Sequence, residues 1–200
     1  MPSQQTLVLA SSNKKKVSEL SAYLPSYFKL VTQDSLGIDS PEETGTTFIE
    51  NAIIKARHAA QCSGLPALAD DSGLEVAALQ GRPGIYSARY AGTDATDQDN
   101  VTKLLQELEP VSDDARAACF RCVIVMLSHA LDPWPRMATG TWHGHILRTP
   151  RGLAGFGYDP VFFDPDLKRS AAELSPAEKQ AVSHRGQALR SLLQGFHEHR

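Results

Sequence analysis

A short apolar run, Leu65-Pro66-Ala67-Leu68-Ala69, stops abruptly at two adjacent carboxylates, a hydroxyl and a glycine, Asp70-Asp71-Ser72-Gly73. The pattern predicts a buried strand that delivers acids into a site. In open α/β sheets ligands bind in the crevice at the carboxyl ends of strands, so acids at the end of such a run are placed for chemistry rather than solubility. Paired carboxylates there point to a hard metal ion, since Mg²⁺ takes oxygen ligands, keeps several waters and bridges to phosphates. A phosphate-binding partner segment is therefore expected elsewhere in the chain.

The N-terminal region supplies a candidate. Thr6-Leu7-Val8-Leu9-Ala10 reads as a buried strand, and Ser11-Ser12-Asn13-Lys14-Lys15-Lys16 follows directly, opening a helical pattern with Val17, Leu20 and Leu24 on one face. Strand, polar turn and helix form an anion site, because free N–H groups at a helix start, the macrodipole and nearby ammoniums all favour phosphate oxygens. The segment lacks the glycines of a Walker loop. Hydroxyl, amide and lysine side chains are therefore expected to supply more of the contacts.

Charge restricts what the phosphate belongs to. A formal net charge of −3 and a pI of about 6.1 remove the broad basic footprint of a nucleic-acid binder, so the ligand is expected to be small and locally held. With 200 residues, 42% hydrophobic and 22% charged, the chain suits one globular domain or two closely joined lobes. No run approaches the length of a membrane span, and Met1-Pro2-Ser3-Gln4-Gln5 lacks the basic-then-apolar order of a secretory signal. A cytoplasmic location is the expectation. The sparse, odd set of Cys62, Cys119 and Cys122 suits a reducing compartment, and the three-residue step from Cys119 to Cys122 along a strand turns the two thiols to opposite faces. His143 and His145 share a face of another expected strand, but two ligands without a visible third do not define a metal site.

The rest of the chain alternates helices and strands. Lys29 to Thr32 reads as a short strand, followed by a loop through Asp39 to Gly45. Phe48, Ile49, Ala52, Ile53, Ala56 and Ala60 recur at helical spacing and lead back to the Leu65 strand, so the first half favours parallel pairing. Gln80 to Gly92 reads as a structured loop, and Asp97 to Leu108 as an amphipathic helix. Ala118 to Leu127 and Met137 to Arg148 read as an antiparallel strand pair, and Val161-Phe162-Phe163 as a further short strand. Ser175-Pro176-Ala177-Glu178 is a capping box with proline at its favoured position, and Ser183 caps a last helix that is expected to expose His184 and Arg185 in its first turn.

Together these segments resemble the inosine triphosphate pyrophosphatase family, the Ham1/RdgB-type non-canonical purine nucleoside triphosphate pyrophosphatases, along nearly the whole chain. The resemblance is carried by Ser11 to Lys16, Glu42-Glu43-Thr44-Gly45-Thr46-Thr47-Phe48-Ile49-Glu50-Asn51-Ala52, Ala69 to Gly73, Pro83-Gly84-Ile85-Tyr86-Ser87-Ala88-Arg89, Gly155-Phe156-Gly157-Tyr158-Asp159-Pro160 and Ser183-His184-Arg185-Gly186. Ser12 departs from it, standing where a glycine is common in the family.

The resemblance implies an elongated, mixed-sheet α/β fold of a single domain with two lobes and a central nucleotide cleft, usually a homodimer. It implies Mg²⁺-dependent hydrolysis of ITP, dITP, XTP and dXTP to the monophosphate and pyrophosphate, which keeps these nucleotides out of DNA and RNA. It assigns substrate contacts to Ser11, Ser12, Asn13, Lys14, Lys15, Lys16, Lys55 and Ser72, and metal contacts to Glu43 and Asp71, with Asp71 also the catalytic base and Glu42 the competitor for Glu43. At the base end it assigns substrate contacts to Phe156, Gly157, Tyr158 and Asp159, with Phe156 stacked on the purine, and it implies that Lys179 reaches the nucleotide and that His184 and Arg185 read the ring edge. Two rival readings stay open from the sequence: a Maf-like pyrophosphatase acting on pyrimidine or modified nucleotides, and a nucleotide sensor that binds without turnover.

Overall fold

The computed structural model describes residues 4–197; of the N-terminal residues behind the expected location, 1–3 lie outside the described residues. In chain order the elements are β1 (Gln5–Leu9), α1 (Lys14–Ser21), β2 (Phe28–Thr32), α2 (Phe48–Ser63), β3 (Ala67–Val76), α3 (Asp97–Glu107), β4 (Ala117–Leu127), β5 (Arg136–Ile146), β6 (Phe162–Asp164), β7 (Arg169–Ser170), α4 (Pro176–Val182) and α5 (His184–His197). The strands form one mixed sheet in the order β2-β1-β3-β4-β5-β6-β7, with β1 parallel to β2 and β3, and β6 antiparallel to β5 and β7. Among the described residues no helix is long and apolar enough to cross a membrane.

The chain divides into two compact units. The first takes the residues up to Asp71, Cys122–Gly140 and those from Gln187 on. It packs α2 through a stripe of small side chains, Ala52, Ala56, Ala59 and Ala60, against Val8, Ala10, Ala67 and Ala69 of the strands. Alanine along that face lets helix and sheet approach closely. The helix begins at a capping box in which Thr47 accepts from the Glu50 amide and Glu50 reaches back to the Thr47 N–H, and it ends at Gly64 with φ of 68°, a left-handed cap that glycine adopts without strain. A second apolar cluster, with Leu7, Leu9, Leu68, Ile124 and Leu189, seats β1 among its neighbours.

The second unit takes Ser72–Arg121 and Thr141–Gly186. Its core gathers Leu74, Val76, Leu104, Phe120, Trp142, Tyr158 and Phe162, with Phe120 and Phe162 ring centroids 4.5 Å apart. The segment expected as a loop after Gln80 contains a 3-10 turn at Gly84–Arg89. Ser87 anchors this turn by accepting from the Leu74 amide at 2.8 Å and donating to Gly84 O at 2.6 Å.

One expectation is corrected. The acidic strand does not end at Asp70-Asp71; β3 runs on through Ser72 and Gly73 to Val76. Leu74 and Val76 are wholly buried, so the chain beyond the acids has an apolar reason to stay extended. What does end there is the parallel pairing. Leu9 pairs with Leu68, and Ala10 N donates to Leu68 O at 2.8 Å, so the acids lie just past the last parallel rung.

Candidate active site

In the first unit three segments bring their polar ends together. The turn after β1 starts α1 at Asn13, whose side-chain oxygen accepts from the amides of Lys15 and Lys16, both at 3.1 Å. Those amides are therefore capped by the chain itself, and the anion-holding capacity of the turn falls to side chains. Lys14 and Lys15 are exposed. Lys16 is half-buried and points its ammonium at Asp70, 3.3 Å from Oδ2.

Lys55, on α2, lies between two carboxylates. Its ammonium is 2.8 Å from Asp71 Oδ1 and 3.0 Å from Glu43 Oε1. Burial is the largest single influence on this ammonium and would lower its pKa, but Asp71, Asp70 and Glu43 together outweigh it and raise it. Burial likewise pushes the Asp71 carboxyl above the ordinary range, and Lys55 and Lys16 pull it back only in part. Of the two adjacent glutamates, Glu43 is half-buried and paired, whereas Glu42 is exposed.

Asn51 braces these acids and was not singled out as a site residue from the sequence. It is wholly buried on α2, accepts from Gly45 N at 2.9 Å and faces Asp71 Oδ2 at 3.5 Å, the outer limit of a hydrogen bond. A Cβ on Gly45 would come within 2.6 Å of Asn51 Oδ1, so the loop that carries Glu43 needs glycine where it meets α2. The signal was an asparagine beside the buried alanine stripe of an amphipathic helix, a polar group with an obligation to bond.

The second unit holds the other set of expected residues. Phe156 is half-buried, with the Lys179 ammonium 4.6 Å and the Arg185 guanidinium 5.8 Å from its ring centroid. One oxygen of Asp159 organises this group, accepting from Phe156 N at 2.8 Å and from Lys179 Nζ at 2.6 Å. Gly155, at φ of 77°, passes so close to Asp159 that a Cβ would overlap the carboxylate. Gly157 donates its amide to Asp97 at 2.9 Å, and the buried Tyr158 donates its hydroxyl to Ser87 O at 2.9 Å. These two residues thus shape the loop around Phe156.

His184 and Arg185 correct another expectation. The first turn of α5 is capped as foreseen, with Gly186 N donating to Ser183 Oγ at 3.1 Å, but the two side chains are buried, at 5% and 2% exposure, instead of solvent-facing. His184 stacks on Phe120 with centroids 4.8 Å apart and planes 12° from parallel. Arg185 donates to Ser72 Oγ at 2.8 Å. Aromatic packing on one residue and a hydroxyl acceptor for the other outweigh the preference of a helix start for solvent. His145 packs against Phe163, and among the described residues no group of three or more His, Cys, Asp or Glu side chains is gathered closely enough to bind a metal alone.

A model of the Ham1 family matches residues 7–195. The chain is 60% identical over 190 residues to the dITP/XTP pyrophosphatase of Shigella flexneri, covering 94% of this chain and 96% of that protein. It is 58% identical over 191 residues to the dITP/XTP pyrophosphatase of Halorhodospira halophila, with 95% and 96% covered. Among solved structures, a HAM1 protein from Coxiella burnetii matches with a TM-score of 0.90 and 51% identity over 97% of this chain and 99% of that one. The Ham1 protein of Staphylococcus aureus matches at 0.84 and 42%, over 97% and 98%. The Maf-like alternative gives way to these matches: in sequence and in fold, the chain belongs to the Ham1 family.

Proposed function

We propose that this chain is a dITP/XTP pyrophosphatase, a hydrolase that also accepts ITP and dXTP and releases the monophosphate and pyrophosphate. The observation that carries the reading is the Lys55 ammonium held between Glu43 and Asp71, beside a strand-to-helix turn bearing Lys16, in a chain so similar to dITP/XTP pyrophosphatases. The sensor reading lacks a reason for these acids.

The donor set fits Mg²⁺. Glu43 and Asp71 offer hard carboxylate oxygens already arranged around a cation, and Mg²⁺ is usually held by one or two carboxylates with substrate phosphates and waters completing its shell. When bound, the ion would offset charge on the phosphates and polarise the reacting phosphoryl group. The residues of the chain do the rest. Asp71, its pKa raised by burial, accepts a proton from a water as the water oxygen bonds to the α-phosphorus. The bond from that phosphorus to the bridging oxygen breaks, and pyrophosphate leaves with the bonding pair. Ser11, Ser12 and the side chains of Asn13, Lys14, Lys15 and Lys16 hold the phosphates, with Lys16 and Lys55 countering charge on the leaving group. Phe156 stacks on the purine, while Lys179, His184 and Arg185 favour a base bearing an oxygen at its six position.

A single catalytic domain, a homodimeric assembly and work in the cytoplasmic nucleotide pool, which it clears of these nucleotides, complete the proposal. The deciding assay supplies dITP with Mg²⁺ and separates the products. Equal amounts of dIMP and pyrophosphate support the reading; orthophosphate release, or binding without turnover, refutes it.

A further inference from the structure

Between β2 and the loop that carries Glu43 lies Gln33, 1% exposed, a residue the reaction as described does not use. Its side-chain nitrogen donates to Ser12 Oγ and to Ser40 Oγ, both at 2.8 Å, so both amide hydrogens are spent on hydroxyls from two different segments. The hydroxyls lie 3.0 Å apart, and Ser12 Oγ is also 3.0 Å from Asp34 Oδ1. One consistent proton arrangement satisfies all four contacts: Gln33 donates to both serines, Ser40 donates to Ser12, and Ser12 donates to Asp34. Hydrogen bonds in such a chain polarise one another, so the set favours a single geometry.

The two hydroxyls belong to the segments that matter for catalysis. Ser12 lies in the turn between β1 and α1, and Ser40 stands three residues before Glu43. The Gln33 backbone is fixed independently, its amide donating to Leu9 O at 3.1 Å at the end of β1. The far side of the Ser40 segment is tied to α2, where His58 Nε2 meets Asp39 O at 3.0 Å. A residue without a hydroxyl at position 12 would break this linkage.

We propose that Gln33 is a positioning residue for the phosphate end of the site. Its carboxamide, through Ser12 and Ser40 together, holds the turn of Ser11 to Lys16 in register with the loop of Glu43. The inference rests on the reading of those segments as holders of phosphate and metal given above. Gln33 touches neither substrate nor reacting atoms; it sets the spacing of groups that do.

The test compares wild type with Gln33→Leu, Gln33→Met and Ser40→Ala, and with Gln33→Leu combined with Ser40→Ala. Binding of inorganic pyrophosphate with Mg²⁺ is measured by calorimetry, and KM and kcat for dITP are measured separately. Gln33→Met keeps the length of the side chain but offers no donor and adds no charge beside Asp34, so it tests the linkage even where the leucine variant folds poorly. Expected are a pyrophosphate affinity about 10-fold weaker in both Gln33 variants and a KM for dITP raised in parallel, as loss of two partly buried hydrogen bonds implies. The combined variant is expected to be no worse than the weaker of its two parents, because each single change already breaks the same linkage. Normal pyrophosphate affinity in Gln33→Met, or multiplicative losses in the combined variant, overturns the proposal. A wild-type chain that binds pyrophosphate but does not cleave dITP sinks the activity alone, and the Gln33 comparison still decides the linkage.

Discussion

The ammonium of Lys55 lies 2.8 Å from Asp71 Oδ1, and the same ammonium lies 3.0 Å from Glu43, so a side chain of this protein stands between the two acids proposed to hold Mg²⁺. It neutralises carboxylates that would otherwise repel one another. Replacing it with an apolar side chain of similar reach, Lys55→Met, should lower stability without divalent ions by on the order of 3 kcal/mol, since a buried charge loses its partner. The same change should strengthen the response to Mg²⁺, because the competing cation is gone. Thermal unfolding with and without Mg²⁺ checks both parts. A variant whose Mg²⁺-induced rise in Tm equals that of wild type would show that Lys55 does not compete with the ion.

Asp71 carries the proposed proton transfer, and Asp71→Asn keeps its shape while removing charge and basicity. Turnover should fall by about 10²–10⁴-fold, the usual contribution of a positioned base. Nucleotide binding should persist through Lys16 and Phe156. Pyrophosphate release and dITP affinity, measured on the same preparation, test the separation; near-normal turnover in a Mg²⁺-replete assay would remove Asp71 from the mechanism.

The parts of this molecule that are legible in its sequence are those governed by local rules. The Ser175-Glu178 capping box, the alanine stripe of α2 and the alternation of strand and helix each follow from neighbours within a few residues, and each appears in the structure. The acids at Asp70-Asp71 were legible as carboxylates carried by a buried strand but not as mid-strand residues. The reason β3 continues is burial of Leu74 and Val76 against Tyr158 and Phe162, more than 80 positions later. His184 and Arg185 illustrate the same limit, because their burial is set by Phe120 and Ser72, residues that no helical periodicity connects to α5. Gln33 gave no signal at all. An isolated glutamine between a strand and a polar loop acquires meaning only when Ser12 and Ser40 arrive on either side of it.

The capping box of α4 predicts a measurable dependence on pH. Glu178 accepts from the Ser175 amide and hydroxyl and pairs with Arg169 at 2.7 Å. These contacts, the Arg169 hydrogen bond foremost, lower its pKa to about 2 from an ordinary 4.5. A carboxylate with a lowered folded-state pKa contributes stability that is present above 4.5 and is lost as pH falls toward about 2. Glu178→Gln should therefore lose stability at neutral pH and show a shallower decline over that acid window. Urea unfolding at several pH values checks it. Because Lys179 is the next residue, parallel measurement of KM for dITP shows whether loosening this helix start also disturbs the base end.

Arg185 should separate inosine from adenine nucleotides. Hypoxanthine and xanthine carry an acceptor oxygen at the six position where adenine carries an amino donor, and a guanidinium only donates. Adenine would face that guanidinium with a donor of its own, and a buried donor left unsatisfied costs roughly 1–3 kcal/mol, more when charged. The burial of Arg185 strengthens the argument, since at 2% exposure little water is available to replace a lost acceptor. Its bond to Ser72 and its place over Phe156 also fix its direction, so that Arg185→Lys, which retains the charge, should not restore selectivity. Guanine shares the oxygen and differs from hypoxanthine only by its two-amino group, so Arg185 alone is not expected to exclude GTP. The measurement is kcat/KM for ITP, XTP, GTP and ATP in wild type, Arg185→Ala and Arg185→Lys. A fall of about 10-fold or more in the ITP/ATP ratio is expected in both variants, with the ITP/GTP ratio changing less. An unaltered ITP/ATP ratio in Arg185→Ala would clear this residue of base selection and leave the choice to Lys179 and His184.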